Sequence, residues 1–135
     1  MKRHLIHFNF RDHDEYLLIR DHVRLFLQSI LQDRCRLMEV AINEAVNNAI
    51  NFGNRNKKCC LRLGMINNSK LVVRIAHFGP GFAGNELITT LNGQEKHLSD
   101  ALWAESGRGL LIMSAAADYI RYNRQGTEVI MVKKV

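Results

Sequence analysis

The chain has 135 residues, of which 47% are apolar and 24% charged, and this composition is ordinary for one globular domain spanning residues 1–135. No apolar run approaches the roughly 20 residues that cross a bilayer, and the N-terminus lacks the apolar core of a secretory signal, so we expect a cytoplasmic protein without a membrane partner. The net charge of +6 is spread along the chain and is not interleaved with aromatic residues, which argues against direct nucleic-acid binding.

The first half of the chain predicts a strand followed by two helices. Residues His4–Phe10 alternate between apolar and polar side chains, with Ile6, Phe8 and Phe10 on one face. Asp12 or Asp14 is a suitable cap for an amphipathic helix that runs to about Leu31. A second helix covers Leu37–Phe52 and ends near Gly53, a plausible C-cap.

The second half predicts two β-hairpins separated by a less regular stretch. Strands at Cys59–Ile66 and Lys70–Ala76 are joined by Asn67-Asn68-Ser69. Residues 83–106 lack a sustained period, and we expect a mobile loop with a short helical piece near Glu86–Leu91. A helix over about Gly109–Ala117 then precedes a hairpin with strands at 119–123 and 127–132. The predicted fold is a two-layer α/β (α+β) sandwich, in which helices cover one face of a mixed, mostly antiparallel sheet.

The second helix carries an unusual carboxylate. Glu44 and Asn48 lie four residues apart and therefore share a helix face, together with Leu37, Val40 and Ala41. A second apolar strip lies beside them, so we expect the helix to pack inside the domain on two sides. A carboxylate in such a place costs several kcal/mol, roughly, unless it is paired, bound to a metal or shifted in pKa. Glu44 therefore has either a chemical role or, as the alternative, a partly exposed position.

Three further boxes follow this helix: Ala76-His-Phe-Gly-Pro-Gly-Phe82, Glu105-Ser-Gly-Arg-Gly-Leu-Leu-Ile-Met113 and Gln125-Gly-Thr-Glu-Val129. Together with the helix that carries Glu44 and Asn48, they make four motif boxes. The order and spacing of these boxes resemble those of the GHKL (Bergerat-fold) ATPases over nearly the whole chain. Within that class, the sequence is most similar to the short anti-sigma serine-protein kinases of bacterial partner-switching modules. The order of four boxes is far more specific than a single Gly-x-Gly.

The resemblance implies a site for ATP and Mg²⁺. It makes Glu44 the general base on the attacking hydroxyl and Asn48 the Mg²⁺ ligand, and both residue types suit that chemistry. The remaining implied nucleotide-binding positions are His77, Gly79, Gly81, Gly107, Arg108, Gly109 and Thr127.

These positions have simpler alternatives that depend on the residues alone. Gly79 and Gly81 leave room for a flat ligand, but they also suit an ordinary Gly-Pro turn. Gly107 and Gly109 lie where a helix start offers free N–H groups to a phosphate, and Arg108 between them would pair with a phosphate oxygen or point to solvent. The hydroxyl of Thr127 lies close to the adenine in the family that the chain resembles.

His77 is the departure from the family pattern. The glycine box usually reads Asp-x-Gly-x-Gly, and its Asp accepts a hydrogen bond from the adenine amino group. A neutral imidazole offers one acceptor nitrogen where a carboxylate offers two oxygens. Three alternatives follow: His77 replaces the acceptor, the site holds another nucleotide or holds ATP weakly, or the domain has lost nucleotide and kept only partner binding.

The resemblance implies an anti-sigma regulatory factor with serine-protein kinase activity. Such a protein would phosphorylate a Ser on a STAS-domain anti-anti-sigma protein, sequester a sigma factor or another regulator, and form a homodimer. The alternative is a nucleotide-independent, partner-binding regulator on a degenerate GHKL fold. The three cysteines, one at Cys35 and an adjacent pair at Cys59 and Cys60, form neither a disulfide framework nor a Cys-x-x-Cys knuckle, and we expect reduced, structural thiols.

Overall fold

A computed structural model describes residues 5–53, 57–81, 83–94 and 108–135 of the chain. Within those ranges the strands are β1 (Leu5–Phe10), β2 (Cys59–Ile66), β3 (Lys70–Ala76), β4 (Tyr119–Tyr122) and β5 (Glu128–Lys134). The helices are α1 (His13–Leu31), α2 (Cys35–Phe52), α3 (Gly84–Gln94) and α4 (Arg108–Ala116), with a single 3-10 turn at Gln32–Arg34 between the first two.

The strands form one sheet in the order β1-β2-β3-β5-β4. Every neighbouring pair among the described strands is antiparallel, so the parallel component implied by a mixed sheet is not found there. The α+β class itself is confirmed. β1 and β4 are the edge strands, and β3 is central, paired with β2 on one side and β5 on the other.

The two faces of the sheet differ sharply. Side chains that alternate along β2, β3 and β5 on one face, such as Leu63, Val73 and Met131, are fully buried against α1, α2 and α4. The opposite face carries exposed Arg62 and Arg74. This alternation is the period of two that places successive strand residues on opposite faces, and it makes the molecule a two-layer structure.

Local sequence signals set several boundaries. Asp12 caps α1, since its Oδ1 accepts a hydrogen bond of 2.9 Å from the backbone N–H of Glu15. The β2–β3 turn has Asn67 at φ 53° and Asn68 at φ 56°, and Ser69 N–H donates to the Ile66 carbonyl at 3.0 Å. Two consecutive positive φ values are typical of a type I′ turn, for which asparagine is well suited.

α2 packs inside the fold on one side only. Met38, Ala41 and Ile42 are buried, but Leu37 and Val40 are 49% and 38% exposed. The expectation that both apolar strips of this helix are buried holds for Ala41 but is wrong for Leu37 and Val40 in the single chain. The helix ends at Gly53, which has an extended backbone (φ −87°, ψ 169°) in place of the left-handed cap that its position suggested. Glycine is nevertheless required there, because a Cβ would lie 2.7 Å from the Ala49 carbonyl oxygen.

The helix after the glycine-rich segment is longer than its sequence suggested. α3 begins at Gly84 and ends at Gln94, whereas the pattern predicted only a short helix over 86–91. The rest of the predicted loop, residues 95–107, lies outside the described residues. In the described part of the chain no helix has both the length and the apolar character needed to span a membrane.

Candidate functional site

Glu44 lies where α2 meets the beginning of α4. The half-buried Glu44 carboxylate approaches Gly109 so closely that a Cβ placed on this glycine would lie 2.8 Å from Glu44 Oε2. Gly109 is the second residue of α4 and is buried. The first backbone N–H groups of a helix have no intrahelical acceptor, and the positive end of the helix dipole favours an anion there. The fold thus brings the predicted base and the predicted phosphate-binding glycine into contact.

Asn48 lies one turn further along α2 and is only 4% exposed. Its side chain is directed at the hydroxyl of Tyr122, on β4, and lowers a tyrosine pKa that burial raises strongly. The Nδ2 atom of Asn48 is buried and makes no hydrogen bond of normal geometry with a described residue. A metal ligand would use the amide oxygen Oδ1 and not this nitrogen.

The sequence analysis predicted Tyr122 only as a strand residue and gave it no role in the site. Its ring packs against Gly84, because a Cβ at that glycine would lie 2.4 Å from ring atom Cδ2. The side chain of Asn85 then brackets the tyrosine backbone: its Oδ1 accepts from Tyr122 N–H at 2.9 Å and its Nδ2 donates to the Tyr122 carbonyl at 2.8 Å. The start of α3 thereby holds the tyrosine against Asn48. No local pattern in the sequence signals this long-range contact.

His77 occupies the end of β3 and is only 8% exposed. Its backbone N–H donates to the carbonyl of Thr127 at 2.9 Å, which joins the second motif box to the last one. Its ring atom Nε2 is buried without a hydrogen-bond partner among the described residues. Burial lowers the pKa of the imidazole, and the neutral ring is therefore favoured. The Cβ of His77 also lies beside Gly53 at the end of α2.

Gly79 and Gly81 both have backbone angles that favour glycine, with φ 146° and 74°. The space beside Gly81 is filled by the β4–β5 turn, since a Cβ there would lie 2.1 Å from the Gln125 carbonyl oxygen. This contact gives Gly81 a packing role, and its predicted contact with a ligand stays a prediction. The glycine-rich segment and the turn before Thr127 consequently form one packed unit.

Thr127 is held by Asn123, which the sequence analysis assigned only to a hairpin strand. Asn123 Oδ1 accepts hydrogen bonds from the backbone N–H groups of Thr127 and Glu128 at 2.8 and 3.2 Å. Asn123 Nδ2 donates to Thr127 Oγ1 at 3.0 Å. The threonine hydroxyl is thereby oriented, and it keeps its own proton available for donation. The Asn-x-x-x-Thr spacing across a short turn was the signal available in the sequence.

The predicted site residues thus fall into two groups along α2. Glu44 and Gly109 make one group, and His77, Gly81 and Thr127 make the other, next to Gly53. Glu44 and Gly53 are nine residues apart in the chain (53 − 44), so the groups are separated by about 13 Å along the helix axis. This separation suits an elongated ligand. Gly107 lies outside the described residues, and Arg108 is exposed and makes no ion pair with another described residue.

The polar atoms of this region fit a nucleotide better than a metal held by the protein alone. The buried His77 Nε2 lacks a hydrogen-bond partner among the described residues, which is uncommon for buried polar groups in the absence of a ligand, and the buried Asn48 Nδ2 approaches only the Tyr122 hydroxyl. The described residues include no group of three His, Cys, Asp or Glu side chains that would hold a metal ion. A metal at this site would therefore depend on oxygens supplied by the ligand as well as on Asn48.

Comparison with known proteins agrees with this geometry. A search of curated proteins finds no significant match. The family model of the histidine kinase-like ATPase domain matches residues 16–133, a range that begins in α1 and ends in β5 and includes Glu44, Asn48, His77, Gly109 and Thr127. Because this match covers most of the sequence, we conclude that the chain belongs to the family of histidine kinase-like ATPase domains.

Proposed function

We propose that this domain is a Mg-ATP-dependent serine-protein kinase of the anti-sigma type. Its substrate would be a Ser on a STAS-domain anti-anti-sigma protein, and its second partner a sigma factor or another regulator that it sequesters. Membership in the histidine kinase-like ATPase family supports the nucleotide part of this proposal. The observation that carries the kinase part is the half-buried Glu44 carboxylate at the beginning of α4.

Glu44 is suited to accept a proton from a serine hydroxyl. Among the described residues its carboxylate makes no ion pair, so no cation competes for its oxygens. One of these oxygens lies beside Gly109 at the beginning of α4. A positioned carboxylate can act as a general base when the hydroxyl comes within hydrogen-bond distance. The neighbouring exposed side chains of Leu37 and Val40 provide apolar surface on which a protein substrate can rest.

The remaining residues are assigned to binding. Mg-ATP would supply the phosphoryl group and neutralise charge during its transfer. Arg108 and the first N–H groups of α4 would hold phosphate oxygens, and Asn48 would hold the metal. His77 and Thr127 would contact the base. His77 is neutral, so its free Nε2 can accept a hydrogen bond from an exocyclic amine in one tautomer and donate to a carbonyl oxygen in the other.

The test is isothermal titration of the whole chain with ATP and with GTP, each with and without Mg²⁺. Magnesium-dependent ATP binding at micromolar concentration supports the proposal. Asn48→Ala is expected to weaken the dependence on Mg²⁺, whereas Asn51→Ala, an exposed position on the same helix, serves as its matched control. Glu44→Gln is expected to retain nucleotide binding and to abolish transfer of labelled phosphate to a purified STAS-domain protein, because the amide keeps the shape but not the basicity.

A second function is favoured by the burial of two binding residues. Asn48 is turned toward Tyr122 and His77 replaces the usual acidic residue, and both are more than nine-tenths buried. A domain that has lost nucleotide and regulates by binding protein partners alone would tolerate both features. Absence of ATP and GTP binding at millimolar concentration, in a chain that still binds its regulator, would favour this function over the kinase. His77→Asp separates the cases further, since it should tighten ATP binding only if residue 77 faces the base.

The proposal also includes a cytoplasmic homodimer. Exposed leucines on α1, Leu17, Leu18 and Leu25, are 52–79% accessible in the single chain and offer apolar area for a partner or a second copy. Light scattering of the purified chain measures the mass directly. A mass equal to the 15.5 kDa of one chain at micromolar concentration would remove the dimer from the proposal.

A further inference from the structure

The open face of the sheet holds a thiol beside an imidazole, at a cavity whose lining also includes His77 of the candidate nucleotide site. The ring atom Nε2 of His7, on β1, lies 2.8 Å from Sγ of Cys60, on β2. The strand register explains the approach: His7 is opposite Arg62, and Cys60 is two positions from Arg62 on the same face. Such diagonal neighbours lie within reach of long side chains on adjacent antiparallel strands. Cys60 is half-buried and lines a surface cavity.

The surroundings of Cys60 are strongly cationic. Cys60 lines a surface cavity of about 220 Å³ together with Lys58, Arg62 and Arg74. Arg62 and Arg74 are directly opposite each other in the β2–β3 register, and like charges in that arrangement repel. Glu128 lies 3.7 Å from Arg74, whereas Lys58 and Arg62 make no ion pair with another described residue. The cavity therefore has a net positive charge that an anionic ligand would compensate.

The other two thiols lack this combination. Cys59 points to the opposite side of the strand and is buried, and burial raises its pKa to about 11. Cys35, at the beginning of α2, is half-buried and has no imidazole within hydrogen-bond distance among the described residues. The nearby Arg24 is already bound to Glu39 at 2.7 Å. Cys35 thus provides an internal reference with similar exposure and without the base.

We propose that Cys60 is a covalent modification site that forms a mixed disulfide with anionic, low-molecular-weight disulfides. His7 Nε2 accepts the thiol proton, and the Cys60 sulfur attacks one sulfur of the incoming R–S–S–R. A Cys60–S–S–R bond forms, the R–S–S–R bond breaks, and R–S⁻ leaves and takes up a proton from solvent or from His7. The incoming disulfide is the oxidant: Cys60 is oxidised, and the released half is reduced to a thiol. The anionic groups of R bind to Arg62 and Lys58.

The experiment compares two disulfides on the whole chain, the dianionic nitrobenzoate disulfide DTNB and the neutral dipyridyl disulfide. Release of the leaving thiol is followed by absorbance, and the modified cysteine is identified by peptide mass mapping. We expect DTNB to modify Cys60 at least about tenfold faster than Cys35, since His7 Nε2 lies 2.8 Å from the Cys60 sulfur and can take the thiol proton as the sulfur attacks. The preference for DTNB over the neutral reagent should fall as salt is raised, because salt screens exposed charges. Equal rates at the two cysteines, or a salt-independent rate with DTNB, would overturn the proposal.

Matched variants separate the base from the charge. His7→Gln should slow both reagents at Cys60, while His13→Gln, an exposed histidine at the beginning of α1, should change neither rate. Arg62→Gln should slow DTNB alone, and Arg121→Gln, an exposed arginine on β4, is its control. If His7→Gln leaves the Cys60 rate unchanged, the imidazole has no role and the proposed mechanism is wrong. The salt series on the unmodified chain gives an answer even where a variant fails to fold.

Discussion

Gly109→Ala tests whether the Glu44 carboxylate is positioned by α4 or only happens to lie beside it. The new methyl group would lie 2.8 Å from Glu44 Oε2 and 3.5 Å from Glu44 Cβ and Cδ. The two longer distances are ordinary contacts, so the conflict is confined to the end of one side chain. Gly109 has a helical backbone without a positive φ, and alanine can adopt its conformation without strain.

The expected change in stability is small, because two terms oppose each other. Alanine in place of glycine within a helix stabilises by about 1 kcal/mol. The carboxylate must move by about 0.5–1 Å to restore a normal contact distance, and an off-rotamer side chain costs about 0.5–1.5 kcal/mol. The free energy of unfolding should therefore change by less than about 1 kcal/mol. Phosphoryl transfer should fall about a hundredfold, since a displacement of 1 Å can cost that much in a positioned site.

The assay pairs urea unfolding with transfer of labelled phosphate from ATP to a STAS-domain protein. The control is a double-mutant cycle with Glu44→Gln. If the methyl group acts through the carboxylate, then Gly109→Ala has no further effect on transfer once Glu44 is replaced. Two results would refute the reasoning: a loss of more than about 3 kcal/mol in stability, which requires a backbone shift of α2 or α4, or unchanged transfer in a folded single variant.

Three further predictions concern stability. Gly81→Ala should destabilise the fold by about 3 kcal/mol or more, because a left-handed backbone with a side chain costs about 1–2 kcal/mol and the Gln125 carbonyl must also be displaced. Urea unfolding measures this loss, and a change below about 1 kcal/mol would contradict the observed packing. Asp12→Ala should lower the free energy of unfolding by about 1 kcal/mol through loss of the α1 cap. Asp14→Ala is the control, because it leaves the 2.9 Å hydrogen bond between Asp12 and Glu15 N–H intact. Equal losses of stability in the two variants would argue against the cap. Burial lowers the pKa of His77 from its ordinary value of 6.5, so below that pH the unfolded chain takes up a proton that the folded chain resists. Wild-type stability should thus fall as pH drops from about 6.5, and His77→Gln should show a smaller fall; identical pH profiles would mean that residue 77 is accessible to water.

The sequence was most informative where one residue decides a local structure. The bounds of β2 and β3 were predicted without error, because alternation with period two continues along each strand and Asn67-Asn68 fixes the turn between them. The sequence left the α1 cap to Asp12 or Asp14, and the structure shows that Asp12 is the cap. α3 was predicted too short, since its helical pattern is weak and its start depends on packing of Gly84 against Tyr122.

Long-range contacts account for what the sequence could not supply. The four motif boxes identified the family because their residue types and order are visible in one dimension. The position of Asn48 against Tyr122 depends on how β4 is placed beside α2, a distance of more than seventy residues in the chain (122 − 48 = 74). The burial of His77 Nε2 was equally invisible, since histidine is intermediate between the residue types that are usually buried and those that are usually exposed.

The close contact between Gly81 and the β4–β5 turn restricts where this protein can be altered by insertion. An extra residue at Arg124 or Gln125 would push the turn into the glycine-rich segment and disturb two motif boxes at once. The β2–β3 turn at Asn67 and Asn68 is exposed. Loop tips of that kind tolerate added residues best. A fluorescent label or an affinity tag for the binding experiments therefore belongs at the β2–β3 turn, at the opposite end of strand β3 from His77.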